Sequence, residues 1–150
     1  MNDAQVRRAQ WLPLVAGFFV PKLGGTPEAW KAANSQVMSR LQDERAWQAR
    51  LRESRDYASF DRQYKIDWLR GMCELAGVPS PVDEDCVSLA QAAYKYIAPR
   101  KRAAFAGVAA AIRNLHEEGY TLHTASGESS EELDGYLQSM MYLYHQVQIL

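Results

Sequence analysis

Residues Trp11–Val20, WLPLVAGFFV, decide how the fold is read. The run is short and almost wholly apolar, and its Val and Phe content favours a buried strand of a parallel sheet. Pro13 would then lie at the start of the strand or on an edge, because proline cannot donate to a ladder. From Leu14 to Val20 the run is far shorter than the roughly 20 residues of a membrane span. Arg7 and Arg8 precede it, but Pro21 and Lys22 follow it and no small-x-small cleavage site appears, which argues against a signal peptide. Pro21–Gly25, PKLGG, reads as a connector, so residues 1–25 form a first core strand and its hinge.

Beyond that hinge the pattern changes to a helical period. Thr26, Pro27 and Glu28 give a capping hydroxyl, a proline in the first turn and an acid, a strong helix start. Trp30, Ala33, Val37, Met38 and Leu41 follow on one face. Asp43 to Arg55 continues in helix formers, with Trp47 and Leu51 four apart. Ser59 and Asp61 are read as opening a third helix striped by Phe60, Tyr64, Trp68, Met72 and Leu75, which Gly77 and Pro79 stop. Asp83 begins a fourth, with Val87, Ala90, Tyr94 and Ile97 on a face, and Pro99 ends it. Residues 26–98 thus predict a four-helix antiparallel bundle.

Residues 99–150 return to a mixed pattern. After the basic connector PRKR, a helix is predicted from Phe105 to Glu118, with Val108, Ala111, Ile112 and Leu115 on its apolar stripe. Gly119 ends it. Tyr120, Leu122 and Thr124 alternate with Thr121 and His123 as a strand. Small residues follow, then Ser129 or Ser130 as a cap with Glu131 and Glu132 in the next first turn. Hydroxyls at a strand end beside a helix N-terminus suit an anion, because free N–H groups and the helix dipole both favour negative charge. Met140–Leu150 is read as a further strand or an unpaired tail. The expected fold class is an α-rich α/β protein whose core is interrupted after its first strand by a helical bundle. Two strands make a marginal sheet.

The segment GVAAAIRNLHEEGYTLHTASGESSEELDGYL, Gly107–Leu137, resembles the second core segment of haloacid dehalogenase-like hydrolases, in which a helix leads through a glycine into a strand ending in Ser or Thr. The resemblance implies a partial Rossmann-like core with an inserted helical cap over residues 26–98. It implies that Thr124 is a phosphate-binding hydroxyl, with the backbone of Ala125 and Ser126 beside it. In that family an Asp at the end of the first strand is the nucleophile, and phosphatase members use Mg²⁺ held by acidic residues. This sequence departs from the pattern. No Asp or Glu occurs between Asp3 and Glu28, and Gly17 stands where the nucleophile would fall. The family's later Lys and acidic metal-binding segment would lie beyond Leu150. The expectation is therefore a phosphatase-type hydrolase by descent, acting on a small phosphorylated metabolite, but truncated or degenerate and catalytically incompetent. No catalytic residue, metal ligand or cofactor is assigned. The alternative is a non-enzymatic helical interaction module that pairs its incomplete sheet with a partner chain, a second copy included.

Composition limits the other classes. With 17 basic and 18 acidic residues the net charge is −1, which gives no reason to expect nucleic-acid or anionic-membrane binding. Cys73 and Cys86 match no zinc or redox motif and read as reduced core thiols of a cytoplasmic protein. His116, His123 and His145 follow no metal-ligand spacing. The aromatic series Trp30, Trp47, Tyr57, Phe60, Tyr64, Trp68, Tyr94 and Tyr96 reads as bundle core rather than a substrate pocket. Asp61 with Asp67, and Asp83 with Asp85, are placed on helices, where capping and solvation explain them better than acid–base chemistry.

Overall fold

Helices account for most of the backbone in the computed structural model of the chain, which describes residues 4–101, 105–124 and 147–149. They are α1 (Ala4–Leu23), α2 (Pro27–Leu41), α3 (Glu44–Glu53), α4 (Tyr57–Ala76), α5 (Asp83–Ile97) and α6 (Val108–Glu117), with a 3₁₀ turn at Ala98–Arg100. Two three-residue strands, β1 (Leu122–Thr124) and β2 (Val147–Ile149), pair in parallel with Leu122 opposite Val147 and Thr124 opposite Ile149.

The expected first core strand is a helix. Trp11–Val20 lies wholly inside α1, with Pro13 and Pro21 also within it. The physical reason is the neighbourhood of the run. Side chains at i, i+3 and i+4 share a helix face, and Val15, Phe18 and Phe19 are buried while Pro13 and Gly17 face outward. A short apolar run has no period that separates a buried strand from a buried helix. Placing Pro13 on the solvent side leaves the freed carbonyl one turn back where water can reach it, which moderates the cost of an interior proline. Without that first strand there is no α/β, Rossmann-like core. The protein is helical, its strand content among the described residues is the single short pair, and the hydrolase core expected from the resemblance is overturned with it.

The helices of the bundle follow their sequence signals closely. Thr26 Oγ1 accepts from the Ala29 amide at 3.2 Å and caps α2. Asp43 caps α3 by accepting from the Ala46 amide at 3.0 Å. The start of α4 differs from expectation: Asp56, not Ser59 or Asp61, is the cap, accepting from the Ser59 amide at 2.8 Å. Arg55-Asp56 precedes the apolar stripe by one turn, and the shorter polar residue with an extended backbone takes the capping role. Gly77, with φ +69°, ends α4 in the left-handed region that other residues adopt at a cost.

The chain divides into two compact units, and the boundaries cut through α1 and α5. The unit Leu12–Ala93 carries the larger core. Val15, Phe19, Trp30, Ile66, Trp68, Leu69, Met72, Cys73, Cys86, Ala90 and Ala93 are fully buried in it. Phe19 of α1 stacks on Trp30 of α2 at 4.9 Å and meets Trp68 of α4 edge-on at 5.8 Å, so one aromatic group ties three helices. Both indoles are satisfied: Trp30 Nε1 donates to the Gly24 carbonyl at 2.8 Å, and Trp68 Nε1 to buried Asn34 Oδ1 at 3.1 Å. Gly25, with φ +80°, makes the turn between α1 and α2 beneath Trp30 and Val78. The second unit comprises Met1–Trp11 and Tyr94–Leu150. In it Trp11 lies 5.9 Å from Tyr94, and the buried Lys101 places Nζ 4.6 Å over the Trp11 ring. Ile97, Ala98 and Ile112 are its buried apolar residues among those described.

Candidate functional site

The segment that carried the phosphate reading is built from α6 outward. Gly107, with φ +82°, precedes α6 and offers no side-chain cap. The helix ends in a paired turn in which the Gly119 amide donates to the His116 carbonyl at 2.9 Å and the Tyr120 amide to Leu115 at 3.0 Å. These bonds satisfy the last carbonyls and aim the chain into β1. Thr124 is the last residue of β1 and pairs with Ile149. The expected strand from Tyr120 to Thr124 is thus shortened to Leu122–Thr124, with Tyr120 58% exposed ahead of it. Ala125 and Ser126, expected beside the anion, lie outside the described residues, as do the Ser129–Ser130 cap and His145. Gly17, where a nucleophile was sought, sits mid-helix on an exposed face of α1.

Three of the four carboxylates of the acidic pairs, Asp61, Asp67 and Asp83, bond to neighbours in the bundle, and Asp85 is an acid of the first turn of α5. Asp61 bonds Lys65 one turn on, Asp83 bonds Arg70, and Glu84 bonds Arg62, the last two linking α4 to α5. Asp67 accepts from Gln63 Nε2 at 2.8 Å and faces Arg50 of α3. Surface pairs of this kind contribute little each. They position helices and leave Asp61, Asp67, Asp83 and Glu84 occupied. Asp56 is held below the usual carboxylate range by hydrogen bonds from the Ser59 side chain and amide and then from Arg55. That shift belongs to a cap. Among the described residues no three His, Cys, Asp or Glu side chains come together as a metal site.

The thiols are buried as expected. Burial pushes Cys73 up to about 11, with the neighbouring Cys86 adding to the effect, and burial also raises Cys86. Cys86 Sγ donates to the Pro81 carbonyl at 3.4 Å. Thiols held protonated in this way are poor nucleophiles.

The sequence reading did not anticipate a cavity of about 270 Å³ where the end of α3 meets the start of α4. Phe60 and Tyr64 form its aromatic wall, and Arg50, Arg55, Ser59 and Gln63 supply polar atoms. Trp47 backs this wall, edge-on to Phe60 at 4.9 Å. Phe60 is buried, as are Trp30 and Trp68, and Trp47 and Tyr64 are half-buried, whereas Tyr57, which stacks on Phe60, is 70% exposed and departs from the core reading of the series. Arg50 Nη1 stands 3.1 Å from Asp67 Oδ2 but off the hydrogen-bonding line, and it is a buried donor without a hydrogen-bond partner. The sequence cues were Phe60 and Tyr64, which read as core rather than pocket, and Arg50 within the charged stretch of α3, which looks like any solvated helix face.

No family model matches the chain, and no curated protein or solved structure matches it. Among the described residues no helix is long and apolar enough to cross a membrane.

Proposed function

We propose that the chain is a non-catalytic helical interaction module that completes its short sheet with strands of another polypeptide. The observation that carries this reading is the β1–β2 ladder, parallel and only three residue pairs long. A two-stranded pair of that length is marginal by itself. Parallel strands occur almost entirely within larger sheets covered on both faces. A strand edge also offers a row of backbone donors and acceptors that an added strand satisfies. The partner is a second copy or a separate strand-bearing chain, met in the cytoplasm, where the free buried thiols Cys73 and Cys86 remain reduced. Size-exclusion chromatography with light scattering tests this. The expected result is a mass above that of one chain that falls on dilution. A monomer at all concentrations, with a sharp melt, sinks the self-association form of the proposal.

A second reading has its own support in the order α6, Gly119, β1, with Thr124 at the strand end. On that order, and on the resemblance of Gly107–Leu137 to a segment of haloacid dehalogenase-like hydrolases, we base a reading of descent from a phosphatase of small phosphorylated metabolites. The reading concerns ancestry and the anion affinity of Thr124, Ala125 and Ser126, because α1 occupies the place of the first core strand. A hydroxyl and a few amides can bind phosphate, but they supply neither nucleophile nor metal. With Mg²⁺ present, turnover of an aryl phosphate should be no greater for the native chain than for Thr124→Ala. Turnover well above that control would show catalytic competence.

A further inference from the structure

We draw no further inference here: the strongest candidate, the cavity of about 270 Å³ where the end of α3 meets the start of α4, carries nothing because Asp67 and Asp56 already face the Arg50 and Arg55 guanidinium groups on its wall and nothing in the structure shows what ligand would fill it.

Discussion

At the residue scale, Cys73 and Cys86 show burial acting directly on chemistry. Both thiols are fully buried, on α4 and α5, and desolvation disfavours the thiolate. The consequence for stability has a definite sign. Below the ordinary thiol value of 9.0, Cys73 is protonated whether the chain is folded or unfolded, and pH has no effect through it. Between 9.0 and about 11 the unfolded chain releases the proton while the folded chain keeps it, so stability falls as pH rises through that window. Urea unfolding from pH 8 to 11 should show this decline, and Cys73→Ala should make it shallower, with Cys86, also raised by burial, contributing to what remains. An unchanged slope in Cys73→Ala would refute the assignment, whatever its effect on absolute stability. Sequence alone made these cysteines core thiols, because neither spacing nor neighbours suggested a metal. It carried no information on their mutual proximity, which depends on how α4 packs against α5.

At the element scale, the closest test is the contact between α2 and α4. A Cβ added at Gly71 would stand 3.1 Å from Val37 Cγ2. Glycine costs a helix interior up to about 1 kcal/mol relative to alanine, and here it admits the β-branched Val37, which has little rotamer freedom with which to yield. Two effects therefore oppose each other in Gly71→Ala. Overpacking in a dense core costs about 1–3 kcal/mol, so the variant should be destabilised on balance despite its better helix propensity. In a double-mutant cycle with Val37→Ala, the pair should be less destabilised than the sum of the singles by at least about 0.5 kcal/mol. Additivity would mean that the two positions do not press on each other. Gly71 looked unremarkable in the sequence because a glycine required for interhelical space has no local signature. The caps were partly legible. The Pro and Glu neighbours of Thr26 mark the α2 cap in the sequence, whereas the α4 cap is Asp56, three residues before the Ser59 that the sequence suggests.

At the scale of the whole molecule, α1 is decisive. Phe19 is fully buried and touches both Trp30 and Trp68. Phe19→Ala removes the ring that joins three helices and should cost about 3–5 kcal/mol, a large share of the roughly 5–15 kcal/mol that holds an ordinary domain folded. Calorimetry or denaturant unfolding should show a large fall in melting temperature together with quenched or shifted Trp fluorescence. A loss below about 1 kcal/mol, the range of a surface substitution, would be incompatible with α1 packed into this bundle. The helical reading of residues 26–98 and the short strand before Thr124 both came from local patterns, and the structure places helices and a strand there. The anion-site reading was local as well, and only Thr124 of its three residues falls in the described structure.

Although Leu115 of the α6 stripe and Leu75 of the α4 stripe are exposed, the sequence by itself determined to within about a turn where the helices from α2 to α6 lie, most of the apolar positions of α2, α4 and α5, and that the thiols belong inside. Each of these rests on periodicity, capping chemistry or composition, which act over a few residues. Only the tertiary structure decided the state of Trp11–Val20. An all-apolar run can be buried equally well as strand or helix, and the choice depends on what surrounds it. Here the surroundings are the indoles of Trp30 and Trp68, brought to Phe19 from 11 and 49 residues further along the chain. That contact turned an expected hydrolase core into a helical bundle.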